Sequence, residues 1–181
     1  MEEKNVESYA GKIAMYGMMI ALAMILSFVE TLIPISLGIP GIKLGLANLV
    51  TIVCLYTMGP AGAWAVSLTR IILTGFTFGN MFSMAYSMAG GVLSLVCMMI
   101  AKKSGVLSTA GVSIIGGMTH NIGQLLVAFY VVRTAGIFWY LPVLMTAGII
   151  TGTLIGMLSA AIVKRIRPYI RKSGEQGENS T

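Results

Sequence analysis

The feature that most constrains the fold is a succession of long apolar segments that fills the chain from residue 13 to residue 163. Glycine, proline and short polar stretches divide this succession into six segments. A hydrocarbon layer of about 30 Å takes about 20 helical residues. The pattern therefore predicts an all-α, polytopic membrane protein with a six-helix transmembrane bundle. The predicted helices are Ile13–Pro34, Leu44–Met58, Ala61–Gly75, Met81–Ala101, Thr109–Val132 and Leu141–Val163.

The second and third segments are the shortest, at about 15 residues each, which leaves a second topology open. Gly59 and Pro60 between them predict a tight turn. A re-entrant hairpin with four full spans is therefore the alternative to six spans. The N-terminal segment 1–12 and the basic, then polar, tail 164–181 are expected outside the membrane on the cytoplasmic side.

Composition and charge place the chain in the membrane and orient it. Only 10% of the residues are charged and the mean hydropathy is +0.88, which argues against a soluble enzyme or a nucleic-acid-binding protein despite the net charge of +6. Lysine and arginine concentrate near both termini and at residues 102–103, so both termini are expected in the cytoplasm. The acidic and basic N-terminus lacks a small-residue cleavage signal, so the first segment is expected to remain attached as a span.

The distribution of acidic residues argues against catalysis by this chain. It contains no aspartate, and Glu30 is the one acidic residue inside the apolar body. Paired carboxylates or an Asp-rich magnesium cluster cannot be assembled from such a set. One histidine and two cysteines are too few for a convincing zinc site, so neither a metal nor a cofactor is expected. The chain has no GxxxxGK[ST] loop, so energy from a nucleotide would have to come through another protein.

Polar side chains within the predicted spans concentrate in the outer half of the bundle, while the inner half is nearly all apolar. This distribution favours an outward-facing binding pocket over an open channel. The candidate substrate-binding residues are Glu30, Lys43, Asn48, Arg70, His120, Asn121 and Gln124.

The charges around this pocket indicate what it would bind. Lys43, Arg70 and Arg133 outnumber Glu30, which favours a ligand with a carboxylate or phosphate group. Aromatic residues near the same mouth could stack on a flat moiety. We expect a small, partly anionic organic solute. In a purely structural alternative, Glu30 and Arg70 form an ion pair and the remaining polar groups only bond across helices.

The first predicted helix carries two arcs of small or polar residues. Ala23, Ser27 and Glu30 form one arc, which is expected to face the bundle. The second arc consists of Ala10, Ala14, Gly17 and Ala21, lies within about 60°, and faces nearly the opposite way. This second arc, here called the α1 stripe, is the candidate docking surface for a partner helix, packing within the chain being the alternative.

Five segments of the sequence carry a resemblance to a known family. SFVETLIP (27–34), GIKLGLANLVTI (41–52), SLTRIILTG (67–75), AGGVLSL (89–95) and THNIGQLLVA (119–128) resemble the heptaprenyl diphosphate synthase component I family, also called Gx transporters. More broadly, the chain is similar to the S components of energy-coupling factor (ECF) transporters, which are six-helix membrane proteins with an outward site. That resemblance implies a solute- or vitamin-binding uptake subunit that works with a transmembrane coupling protein and two ATPases. It also implies docking through small residues of the first helix.

The other name of the family implies a second function. In that alternative the chain is a non-catalytic membrane accessory component of heptaprenyl diphosphate synthase, in isoprenoid or menaquinone side-chain synthesis, and its partner is the catalytic subunit. Trans-prenyl synthases bind diphosphate through magnesium held by Asp-rich motifs, which this chain lacks. It is therefore not expected to be the catalytic subunit. A transport component is the first expectation, and a membrane scaffold is the third.

Overall fold

The structure is a computed structural model that describes the backbone of residues 2–32 and 45–178 and the side chains of residues 9–32 and 45–168. The regular elements of the described residues are all helical, which confirms the all-α part of the predicted fold class. A short 3-10 helix, Ala135–Tyr140, joins the fifth α-helix to the sixth. The α-helices are α1 (Glu2–Leu32), α2 (Leu46–Thr57), α3 (Gly59–Thr77), α4 (Met81–Lys103), α5 (Thr109–Val132) and α6 (Leu141–Glu178).

Four stretches of the described chain are long and apolar enough to cross a membrane, so the protein fits the multi-pass membrane class. They are Tyr9–Leu32, Met81–Lys103, Thr109–Val132 and Ala135–Pro168. Helix α2 has only 12 residues, about 18 Å, and α3 is not among the four. Six full spans are therefore not confirmed. The count of four is the one expected from the alternative topology.

Capping residues fix the helix ends that the sequence predicts well. Helix α5 has the predicted bounds, and the Ser108 hydroxyl before it accepts a hydrogen bond from the N–H of Gly111 at 3.3 Å. Helix α4 begins after Asn80, whose side chain accepts from the N–H of Ser83 at 2.7 Å. Such caps satisfy backbone donors that have no partner inside the helix.

The N-terminal end of α1 and the C-terminal end of α6 correct the sequence analysis. Helix α1 already begins at Glu2 and α6 continues to Glu178, so the predicted helix ends at Ile13 and Val163 were wrong. Hydropathy marks the end of the apolar residues, whereas a helix ends where its backbone hydrogen bonds end.

The predicted turn at Gly59 and Pro60 is confirmed. Gly59 has a φ of 80°, a left-handed conformation that glycine adopts without steric penalty. Pro60 lies in the first turn of α3, where a missing N–H removes no helical hydrogen bond. The two residues thereby place α2 directly beside α3, and these helices contact each other.

Helix α2 lies at the centre of the packing and contacts α1, α3 and α6. Most of its side chains are buried, and the core that they begin continues into α3, α4 and α5. The core includes Val50, Ile52, Leu55, Ala63, Val66, Leu95, Met98 and Val112. Burial of apolar surface of this kind positions the short helix even though its length does not match a membrane span.

Glycines bring α6 against α5 along one line, here called the α6 stripe: Gly148, Gly152 and Gly156. A Cβ atom on Gly152 would lie 2.7 Å from the Cα of Ile114, and one on Gly156 would lie 2.7 Å from the Cα of Ala110. At those distances the two backbones are in contact, which only glycine permits.

Helix α1 presents its two arcs to different surroundings. Ala23 and Ser27 are buried, and Glu30 is partly buried. All four residues of the α1 stripe are exposed. Only 11% of the apolar stretch of α1 is buried, against 33% in α4 and in α5.

Candidate functional site

A cavity of about 140 Å³, here called the main cavity, lies where residues of all six helices converge. An engineered cavity of about 150 Å³ admits benzene, so this volume suits a small organic molecule. Its wall consists of Ser27, Glu30, Thr31, Gly45, Ala47, Asn48, Arg70, Ile71, Thr74, Gly75, Phe78, Gly79, Ser83, Met84, Ser87, Gly117, His120, Asn121 and Thr151.

Five of the seven candidate substrate-binding residues line this one cavity: Glu30, Asn48, Arg70, His120 and Asn121. They come from α1, α2, α3 and α5, which are distant in sequence. The sixth candidate, Gln124, is not part of the wall. The seventh, Lys43, lies outside the described residues.

Arg70 is the charged group most enclosed by the protein. Its side chain is 9% exposed, and its Nε atom has no hydrogen-bond partner among the described residues. The carboxylate of Glu30 interacts with it electrostatically. An ion taken out of water loses several kcal/mol of solvation, which nearby charges and hydrogen bonds must offset. An anionic ligand in the main cavity would supply the acceptor that Arg70 lacks.

Glu30 links α1 to the beginning of α2. One of its carboxylate oxygens accepts a hydrogen bond from the backbone N–H of Gly45 at 2.5 Å. Gly45 has a φ of 73°, and its carbonyl accepts from the N–H of Asn48 at 2.8 Å. The left-handed backbone requires glycine here, and it turns the N–H toward Glu30 at the edge of the main cavity. One carboxylate thus both faces Arg70 and fixes the first turn of α2.

Asn121 and His120 place polar atoms of α5 at the main cavity. The side-chain amide of Asn121 donates to the carbonyl oxygen of Leu144 at 2.7 Å, across the contact between α5 and α6. The imidazole of His120 lies close to α4, since a Cβ on Gly90 would be 3.0 Å from its Cε1 atom. Both side chains are therefore held by neighbouring helices as well as lining the wall.

Gln124 occupies a different environment although it shares a helical face with His120. It is 1% exposed, and neither atom of its amide has a hydrogen-bond partner among the described residues. A Cβ on Gly123 would lie 2.7 Å from the carbonyl oxygen of Ala89, so α4 and α5 are in backbone contact at this level. The contact between α4 and α5 closes around Gln124, whose Cγ atom would lie 3.0 Å from a Cβ on Gly90, and Gln124 is not part of the wall of the main cavity. Helical periodicity alone does not reveal such closures.

Hydroxyl groups of α4 and α6 complete the wall, and the sequence analysis did not identify them. Ser83 and Ser87 lie one turn apart on α4, and Thr151 projects from α6. A serine pair at that spacing was a usable signal. Thr151 carried none, because its hydroxyl donates to the carbonyl of Ala147 at 2.9 Å, a common arrangement for threonine inside any helix.

Aromatic rings border the main cavity on one side. The Phe78 ring, which lines the wall, meets the Phe28 ring of α1 edge to face at 5.4 Å between centroids. Phe82 and Tyr86 stack on each other at 5.9 Å. Phe78 is therefore the phenyl ring that a ligand in the main cavity would meet, whereas Trp139 is highly exposed and lies outside the wall.

The polar groups of the site are suited to binding a small polar molecule. Within the residues described, no cluster of three or more histidine, cysteine, aspartate or glutamate side chains could hold a metal ion. The wall instead combines one cation, one carboxylate, two amides, an imidazole and several hydroxyls. Groups of this kind orient a small polar molecule by charge and hydrogen bonding.

Comparison with known proteins identifies one family. A family model described as heptaprenyl diphosphate synthase component I matches residues 19–162, which is more than half of the chain. No curated protein and no solved structure matches.

Proposed function

Because the chain belongs to the heptaprenyl diphosphate synthase component I family and encloses a cavity around a buried arginine, we propose that it is the substrate-binding membrane subunit of an uptake transporter. Its ligand is a small, partly anionic organic solute. Partner ATPases supply the energy through a transmembrane coupling protein. The protein lies in the cell membrane with both termini in the cytoplasm. The observation that carries the proposal is that Arg70 lines the main cavity while its Nε atom has no hydrogen-bond partner among the described residues.

Charge and volume support the ligand class. A buried guanidinium binds carboxylate and phosphate oxygens in a fixed, bidentate geometry. Glu30 balances part of its charge, so the ligand needs only one anionic group, or one anionic group with a hydrogen-bond donor beside it. Asn48, His120 and the serine hydroxyls would bind the neutral part of the same molecule.

The α1 stripe supports the proposed partner. Its four small residues are exposed, and a Cβ on Gly17 would meet nothing within 4 Å. Small residues on an uncovered helix face let a second helix approach closely within a membrane. We assign this surface to the coupling protein.

The accessory role in prenyl diphosphate synthesis is the second candidate, and the name of the family favours it. In this reading the partner is the catalytic synthase subunit. A heptaprenyl chain is far larger than a molecule of benzene size, so the main cavity of about 140 Å³ does not enclose it. The isoprenoid would have to lie on the exposed apolar surface instead.

The solute is tested by purifying the protein in mild detergent and identifying co-purifying small molecules by mass spectrometry after denaturation. The wild type is compared with Arg70→Met, which removes the buried cation and keeps similar length. Arg133→Met is the matched control, because Arg133 is an exposed arginine outside the cavity wall. We expect an anionic solute in the wild type and in the control, and its loss in Arg70→Met. Equal retention in all three proteins would contradict the proposed site.

The same purification separates the two functions through the proteins it recovers. A membrane coupling protein with ATPases supports transport. A prenyl synthase subunit that co-purifies with isoprenoid, without ATPases, would replace transport by the accessory role.

A further inference from the structure

A second, smaller cavity of about 20 Å³, here called the inner cavity, adjoins the main cavity. The two share four wall residues: Gly45, Asn48, Gly117 and Thr151. The inner cavity continues between α2, α4, α5 and α6, where Ile52, Met98 and Ile155 close it. Its volume accommodates one water-sized group, since a single water needs about 10–15 Å³.

Ser113 is the polar group that the inner cavity leaves unsatisfied. Its side chain is 2% exposed, lines the inner cavity, and has no hydrogen-bond partner for its hydroxyl among the described residues. Ser94 on the facing helix is already engaged, donating to the carbonyl of Gly116 at 2.8 Å. A buried hydroxyl without a partner costs about 1–3 kcal/mol, so a group that hydrogen-bonds to Ser113 would be stabilised there.

The position of Ser113 along α5 gives the length of a molecule that would reach it. Ser113 precedes His120 by seven residues, a rise of about 10 Å along the helix. His120 belongs to the main cavity and Ser113 to the inner cavity, while Gly117 between them lines both. The two cavities therefore follow one another along the helix axis.

We propose that the two cavities form one elongated site, in which the solute places its anionic group at Arg70 and an uncharged oxygen, a hydroxyl or a carbonyl, at Ser113. This inference rests on the proposed solute-binding function and specifies the ligand class. The described wall of the inner cavity contains no charged side chain, so a charged group there would have no compensation.

The connection between the cavities is tested with silver ion, a small thiol-reactive cation, on detergent-solubilised protein in chloride-free buffer. Ser113→Cys is prepared in a background with Cys54→Ala and Cys97→Ala. Ser159→Cys in the same background is the matched control, because Ser159 is 0% exposed and also lacks a hydroxyl partner but lines neither cavity. Thiols that silver has not blocked are alkylated after denaturation and counted by mass spectrometry, and gel filtration confirms that both variants are folded.

We expect silver to block the thiol at position 113 at least about tenfold faster than the thiol at position 159, which is reached only when the structure opens. Equal rates would overturn the inner cavity as part of the site. Since this arm needs no solute, its failure leaves the proposed solute-binding function standing on the Arg70→Met comparison.

The ligand class is tested by the solute that co-purifies with the wild type, with Ser113→Ala and with Ser159→Ala. Retention should fall in Ser113→Ala alone, by about tenfold for one lost buried hydrogen bond. A retained solute without an uncharged oxygen, or equal loss in the two serine variants, would overturn the assignment. If the wild type retains no solute, a blocked thiol at position 113 supports the elongated site and an unblocked one refutes it.

Discussion

The α1 stripe and the α6 stripe have similar sequences and opposite surroundings. Both consist of small residues at helical spacing. The glycines of the α6 stripe lie against the backbone of α5, and a Cβ added to any of them would lie 2.7–3.0 Å from the nearest atom of α5. The α1 stripe is exposed along its whole length. A small-residue stripe therefore does not itself indicate which surface covers it.

The difference depends on what the neighbouring helix offers. Helix α5 presents Ala110, Ile114 and Gly117 to the α6 stripe, so two backbones can meet. Helix α1 contacts α2 and α3 through its other face, which leaves its stripe with no counterpart in the described chain. The same motif thus stabilises the fold at α6 and is available for a partner at α1.

Leucine in the α6 stripe should have the largest effect. In Gly152→Leu the first added carbon alone would overlap the backbone of Ile114, and overpacking of this kind costs about 3 kcal/mol or more. We expect little monodisperse protein in gel filtration after extraction. Gly17→Leu is the matched control and should elute as the wild type does. Equal yields for both variants would show that the α6 contact is not required for folding.

Leucine in the α1 stripe should instead abolish partner binding. Gly17→Leu projects a bulky side chain into open space, so the fold should not be destabilised, and the free energy of unfolding should rise by up to about 1 kcal/mol because leucine favours a helix more than glycine does. The coupling protein should no longer co-purify. Gly11→Leu, on the same helix but outside the stripe, should retain it. Recovery of the partner with Gly17→Leu would remove the stripe as the docking surface.

Loss of the polar contact beside the α6 stripe should have an intermediate effect. Asn121→Ala removes the hydrogen bond to the carbonyl of Leu144, and interhelical hydrogen bonds in membranes contribute about 0.6–1.7 kcal/mol. The midpoint of thermal unfolding in detergent should fall. Thr146→Ala is the control, because its hydroxyl bonds only within α6 and is exposed. A midpoint that falls equally in both variants would show that the loss does not come from the hydrogen bond to Leu144, since alanine favours a helix more than asparagine or threonine does.

A single methyl group should distinguish the two stripes with opposite signs. Gly17→Ala should stabilise α1 by up to about 1 kcal/mol, since alanine restricts the unfolded chain more than glycine does. Gly148→Ala should destabilise the protein, because its Cβ would lie 3.0 Å from backbone atoms of Gly117 and Met118. Thermal unfolding of the two variants measures both shifts, and equal signs would contradict the difference in packing.

The sequence predicts the helices better than it predicts the closure of the site. Asn80 and Ser108 cap the first turns of α4 and α5, and each lies directly before its helix in the sequence, so these helix ends depend on local residues. The polar residues Glu30 and Arg70 are identifiable because charge is rare in apolar helices. The enclosure of Gln124 between α4 and α5 reflects the close approach of these two helices, and the sequence of one helix does not encode the distance between two helices.

The burial of α2 has a consequence for how the protein is made. A helix of 12 residues, about 18 Å, is too short to partition stably into about 30 Å of hydrocarbon by itself. One of the helices that it contacts, α6, follows it in the chain only after α3, α4 and α5, and α6 also brings Thr151 to the main cavity. The binding site is therefore completed only once α6 has packed against α2, so a solute cannot guide the membrane insertion of the helices that precede α6.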